Sequence, residues 1–168
     1  LRKIHSIPAP SNQQDWENRF NKKIDYKIKK YLECPLKYEN GQYFIDFIEN
    51  NRHLLKNRPQ VYQHGDYHIG NMMIDCNCKL QIIDFNRNDY GDPWEEFNRI
   101  VWCVQASPFF ASGMVDGYFE KNIPQEFWHL LALYISTNTL SSIYWAIPFG
   151  EKEINTMRKQ AEDILTWY

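Results

Sequence analysis

From Phe127 to Gly150 the chain carries no Lys, Arg, Asp or Glu. A charge-free run of that length has two homes, a bilayer or the middle of a helical core. Its centre decides between them. Ser136-Thr137-Asn138-Thr139 and then Ser141-Ser142 are strongly polar, and Pro148 and Gly150 close the run. The segment reads as a buried helix of a soluble protein rather than a transmembrane span. The other elements must then be arranged around it.

Those elements read as mostly helical. Trp16, Phe20, Ile24, Ile28 and Tyr31 recur every three or four residues, the period of an amphipathic helix. Lys22, Lys23, Lys27, Lys29 and Lys30 fall largely on its solvated face. Phe44, Ile45, Phe47, Ile48, Leu54 and Leu55 predict a second helix after Gly41. Asp92-Pro93-Trp94-Glu95 opens a third: Asp92 as cap, Pro93 at the first helical position, and Glu95 two residues on to reach back. Phe97, Ile100, Val101 and Val104 form its apolar stripe. Further helices are expected over 109–121, 124–147 and 151–167, punctuated by Pro108, Pro124 and Pro148. The only convincing β structure is a hairpin, 72–75 with 80–83, turning at Cys76-Asn77-Cys78-Lys79. Tyr67, Trp94, Trp102, Trp128, Tyr144 and Trp145 sit at spacings that favour a core role over a stacking pocket. The fold class is mainly α (α+β), a helical bundle with one short antiparallel β-hairpin, in a single domain over 1–168.

Charge and cysteines exclude several functions. Net charge is −2 over 168 residues, so no global basic field points to nucleic acid. Residues 1–60 hold 12 basic and 7 acidic residues, and residues 61–168 hold 7 and 14. Four cysteines without a C-x-x-C pair suit neither a disulfide scaffold nor a zinc site, and Cys76 and Cys78 read as turn residues. Leu1-Arg2-Lys3-Ile4-His5 is too polar for a secretory leader. The expected compartment is the reducing cytoplasm, with no membrane and no nucleic-acid partner.

The chemistry lies at the two ends of the hairpin. His64-Gly65-Asp66-Tyr67-His68-Ile69-Gly70-Asn71 precedes its first strand; Asp84-Phe85-Asn86 and then Tyr90-Gly91-Asp92-Pro93 follow its second. An antiparallel hairpin brings Asn71 beside Asp84, with Asp66 on the loop just before. Taken singly, each of these residues is ordinary turn chemistry. Jointly, two carboxylates and a carboxamide make a hard-oxygen site suited to Mg²⁺ completed by phosphate oxygens.

His-Gly-Asp-x-x-x-x-Asn, then Ile-Asp-Phe and Gly-Asp-Pro, resembles the aminoglycoside phosphotransferase family, relatives of the protein kinases. The resemblance implies a kinase-like C-terminal lobe. It makes Asp66 the catalytic base or hydroxyl-orienting group, and Asn71 and Asp84 the Mg²⁺ and nucleotide ligands. It places His68 where a phosphate-facing lysine stands in kinases, and makes His64, Asp92 and Glu96 supports of the catalytic loop. It likens Leu1–His5 to the helix that follows the hinge. The implied reaction is Mg²⁺-dependent transfer of the γ-phosphate of ATP (or GTP) to a hydroxyl of a small molecule. The acidic half of the chain suits a cationic, aminoglycoside-like acceptor, though the same family shape serves other small alcohols. The seven glycines never form G-x-G-x-x-G, so the N-terminal nucleotide lobe is read as absent. Little activity is expected from this chain alone, and the surface such a lobe would cover favours self-association. Two alternatives stay open. One is a catalytically silent binding lobe. The other is a metal-dependent hydrolase using His64, Asp66 and His68, for which His129 is the one further downstream histidine.

Overall fold

In the computed structural model, which describes residues 1–167, most of the charge-free run lies in helix α5, Gln125–Ala146, and its end forms a 3₁₀ turn over Ile147–Phe149. Leu130, Leu133, Leu140, Ile143 and Ala146 are fully buried along it. Its polar centre is buried as well. Ser136, Thr137 and Thr139 return their hydroxyls to the carbonyls of Ala132, Leu133 and Ile135 at 2.8, 2.8 and 2.9 Å, so burial leaves none of them unsatisfied. Among the described residues no helix is long and apolar enough to cross a membrane.

Helices α1 (Trp16–Glu33) and α2 (Gly41–Asn51) lie against α5, as does a 3₁₀ turn over Glu95–Arg99. Asp15 caps α1 through the Asn18 amide at 3.0 Å, and Trp16, Phe20, Ile24 and Tyr31 are its buried stripe. Tyr134 of α5 ties the layers together. Its hydroxyl accepts from the Trp16 indole at 3.0 Å and donates to Asp92 at 2.7 Å.

The segment after Asp92 departs from expectation. The helix predicted from Pro93 begins as the 3₁₀ turn, and α3 covers only Ile100–Ala106. Asp92 does cap, accepting from the Trp94 amide at 2.9 Å. Glu95 does not reach back, because its carboxylate takes Lys23 at 3.0 Å instead. Helices α4 (Pro108–Phe119) and α6 (Glu151–Leu165) fall where their punctuation places them. Residues 1–5 form turns, with the His5 amide on the Leu1 carbonyl at 3.1 Å, and not the expected helix.

The hairpin is present as β2 (Met72–Ile74) and β3 (Leu80–Ile82), in the register Met72↔Ile82 and Ile74↔Leu80. The Asp75 carboxylate shapes its turn by accepting from the Asn77 and Lys79 amides, both at 2.9 Å. A second antiparallel ribbon was not expected. β1 (Val61–Gln63) pairs with β4 (Asp89–Gly91), in the register Val61↔Gly91 and Gln63↔Asp89. Because β1 and β4 bracket β2 and β3 in sequence, the loops 64–71 and 83–88 are held at both ends. Cys34, Cys76, Cys78 and Cys103 are all free thiols.

Candidate active site

Loop 64–71 owes its shape to buried partners. Gly65 sits at φ +82°, and a Cβ there would collide with the Arg87 carbonyl, so only glycine fits. The Glu96 carboxylate, buried on the 3₁₀ turn, accepts from the His64 amide at 2.5 Å and from the Gly65 amide at 2.8 Å. The His64 ring is fully buried. Its Nε2 faces the Ile83 carbonyl at 2.8 Å, and its Nδ1 faces the Asp66 amide at 3.2 Å. A carbonyl only accepts and an amide only donates, so the ring is the neutral Nε2–H tautomer and has no lone pair left for a metal.

Asp92, at the exit of β4, is buried. It takes Arg58 in a two-pronged pair, Nε at 2.6 Å and a terminal nitrogen at 3.2 Å, as well as the Tyr134 hydroxyl. Burial pushes its carboxyl up and Arg58 opposes that shift. The Arg58 guanidinium lies 3.9 Å from the Trp94 ring centre. The side chains of His64, Asp92 and Glu96 are thus buried and engaged by protein partners.

Asp66 faces the opposite way. Its Oδ1 lies 3.0 Å from Arg99 Nε; its Oδ2 lies 3.8 Å from His68 Nε2 and 3.9 Å from Arg87. The latter two are electrostatic contacts rather than hydrogen bonds, leaving Oδ2 able to accept. His68 first, then Arg99 and Arg87, hold the Asp66 carboxyl below the usual range against the opposing effect of burial. Asp66 is therefore ionised at neutral pH.

Asn71 is anchored by its own neighbours. Its Nδ2 donates to the Asp66 carbonyl at 2.9 Å, and its carbonyl accepts from the Ile83 amide at 3.0 Å. The second bond sets Asn71 beside the end of β3, with Asp84 the next residue along. Asp84 adopts φ +64°, a left-handed conformation unusual for a residue with a side chain, and it is exposed. Among the described residues no hydrogen bond occupies its carboxylate. An amide oxygen and a free carboxylate at one strand end fit a Mg²⁺ ion that takes its remaining ligands from phosphate and water. His68 uses Nδ1 to accept from the Gly70 amide at 3.1 Å and keeps Nε2 toward Asp66.

The hydrolase arrangement is not assembled. His64 is consumed inside the loop, and among the described residues no three His, Cys, Asp or Glu side chains are placed to share a metal.

Three site residues escaped sequence reasoning: Lys27, Arg87 and Arg99. With Asp66 and His68 they line a pocket of about 440 Å³. Trp102, Tyr144 and Trp145 line it too, so half of the aromatic set expected in the core faces this one cavity. The nearest sequence signal was the lysine stripe of α1, which the solvated-face rule assigned outward.

The family model for the phosphotransferase enzyme family (APH) matches residues 1–130. Among solved structures, the chain is similar to a thermostable mutant of aminoglycoside phosphotransferase APH(4)-Ia in its apo form, with TM-score 0.64 and 16% identity. It is similar also to a point variant of that mutant in ternary complex with ADP and hygromycin B, with TM-score 0.65 and 17% identity. In both cases 92% of this chain covers 53% of the other, so the chain spans about half the length of the structures it matches. No curated protein matches it in sequence.

Proposed function

The chain belongs to the phosphotransferase enzyme family, and on that premise we propose that its site transfers the γ-phosphoryl group of a nucleoside triphosphate, ATP or GTP, to a hydroxyl of a small molecule. The observation that carries the proposal is Asp66: an ionised carboxylate with one free oxygen, at the mouth of a pocket, on a loop that also anchors Asn71. The nucleotide complexes of the similar structures, with ADP or AMP-PNP and the aminoglycoside hygromycin B, support the same reaction class.

The chemistry asks little covalent help of the protein; positioning and charge dominate. Asp66 Oδ2 accepts a hydrogen bond from the acceptor hydroxyl and holds that oxygen in line with the γ-phosphorus. The new O–P bond forms as the bond to the bridging oxygen breaks and the nucleoside diphosphate departs. A carboxylate held below its usual pKa is a weak base, so Asp66 takes the proton late and acts chiefly by orientation. Asn71 Oδ1 and Asp84 would hold Mg²⁺, which when bound neutralises charge on the phosphate oxygens. His64, Glu96 and Asp92 keep the loop rigid.

Within this reading the chain supplies the catalytic-loop lobe, as one domain over 1–168, and the remaining half of the relatives' length supplies the nucleotide lobe. Little turnover by the lobe alone, and self-association through the uncovered hairpin face, are part of the same proposal. The free and exposed thiols of Cys76 and Cys78 support a reducing, cytoplasmic setting.

The test is γ-phosphoryl transfer by the full gene product. Asp66→Ala is expected to lower kcat by about 10²–10⁴-fold with modest change in nucleotide affinity. Asp84→Ala is expected instead to raise the Mg²⁺ and nucleotide concentrations needed. Equal, mild losses from both variants would overturn the assignments.

A further inference from the structure

The pocket beside Asp66 has an unexpected sign. Asp66 is the one acid lining it, against Lys27 from α1, Arg87 from loop 83–88 and Arg99 from the 3₁₀ turn. An adjoining cavity of about 320 Å³ shares those three cations and adds Arg19 and Lys23. Partners for some of them can be assigned. Arg19 takes Asp89 at 3.1 Å, Lys23 takes Glu95 at 3.0 Å, and Arg99 takes Asp66 at 3.0 Å. Two cations are left without a carboxylate of their own. Lys27 hydrogen-bonds the Asn138 side-chain oxygen, at 3.4 Å, and feels Glu95, whose ion pair is with Lys23; Arg87 shares Asp66 with Arg99, 3.9 Å from the second carboxylate oxygen. Arg99 is itself incompletely satisfied, since its buried Nε makes no well-aligned hydrogen bond.

Three cations sharing one carboxylate around a concave, partly apolar site mark an anion's place, because their mutual repulsion is relieved when a negative group arrives. Burial first, then Lys23, press the Lys27 ammonium down to about 7 against the opposing effect of Glu95, and an anion in the pocket would raise it. A polyamine sugar meets the opposite situation. Its ammonium groups would lie against Lys27, Arg87 and Arg99 with one carboxylate to share.

Resting on the phosphotransferase reading above, we propose that the acceptor is an anionic alcohol: a hydroxyl compound whose carboxylate or phosphate sits between Lys27 and Arg87, whose apolar part lies on Trp102 and Trp145, and whose hydroxyl meets Asp66. Ser141 and Ser142, also on the pocket wall, supply hydroxyls to a polar substituent. The acidic balance of residues 61–168 does not carry over to this pocket, since most of those carboxylates lie elsewhere.

The test uses three benzyl alcohols that differ only in the para substituent: carboxylate, carboxamide and aminomethyl. Each is titrated into the chain and followed by NMR, with thermal melting as the check that variants fold. The carboxylate is expected to bind at least tenfold tighter than the other two. Lys27→Met, at a partly exposed position, and Arg87→Gln, at an exposed one, are each expected to weaken it at least threefold and to leave the carboxamide unchanged. Equal or tighter binding of the aminomethyl compound, binding of none of the three, or a carboxylate preference untouched by both variants would overturn the proposal. So would variants that weaken nucleotide binding while sparing the carboxylate, since the cations would then serve the triphosphate. Transfer assays on the same compounds with the full gene product separate the two claims. A carboxylate preference that Lys27→Met abolishes, with no phosphoryl transfer to any of the three, supports the anion site and contradicts only the reaction assigned to it.

Discussion

Glu96 shows what one buried carboxylate does for a loop. Two backbone amides, those of His64 and Gly65, end on it, and neither has another partner in the turn. Glu96→Ala strands both, at about 1–3 kcal/mol for each buried unsatisfied group. Urea unfolding is expected to show a loss of about 2–4 kcal/mol, and a loss under about 0.5 kcal/mol would contradict this account of the loop. Lys27 gives a second test, through pH. Its pKa falls to about 7 in the fold, against about 10.4 in an unfolded chain, so between those values the unfolded state binds more protons. Stability contributed at this position therefore rises with pH from about 7 to about 10, and Lys27→Met is expected to flatten that rise. Identical slopes for the two proteins, from urea midpoints at several pH values, would contradict it. The family resemblance singled out His64, Asp92 and Glu96, which the fold buries around the loop. Nothing in the sequence singled out Lys27, Arg87 and Arg99 as pocket residues. A lysine on a polar helix face reads as solvated whether it meets water or the wall of a neighbouring helix, and the partner that turns Lys27 inward, Asn138, lies far along the chain.

Elements long enough to show a period were legible. α1, α5 and the β2–β3 hairpin fall where apolar spacing and punctuation put them, and α5 was recognisable by its missing charges although it has no polar face. The β1–β4 ribbon was not, because three residues on each side cannot display an alternation. Its register is a tertiary fact. The hairpin turn was placed correctly, but its mechanism is the Asp75 carboxylate, together with Cys78 at φ +59°. The Lys79 amide first, then Asn77 and Gln81, hold the Asp75 carboxyl below its ordinary value. A depressed acid stabilises above its unfolded pKa and loses that contribution as pH falls through the folded value. NMR shifts of the Asn77 and Lys79 amides are thus expected to move together only below about pH 4. In Asp75→Ala both are expected to be displaced already at neutral pH. Amides that titrate near neutrality, or that ignore the substitution, would contradict the turn assignment.

At the scale of the molecule, one face of the hairpin is apolar and uncovered: Ile74 and Leu80, paired across the two strands, are 73 and 55% exposed. Such a patch favours association. Sedimentation velocity on the chain alone is expected to show concentration-dependent dimers that Ile74→Lys with Leu80→Lys disperses; a monomer at every concentration would contradict this. The central claim concerns the opposite end of the same hairpin, where we propose that Asn71 and Asp84 hold Mg²⁺ beside Asp66. Mn²⁺ supplied with a non-hydrolysable triphosphate to the full gene product reports on that site directly, by broadening nearby amide signals. The expected result is selective loss of the Asn71, Ile83 and Asp84 signals, abolished by Asp84→Ala. Broadening centred on His64 or elsewhere, or none around residues 71 and 84, would contradict the claim.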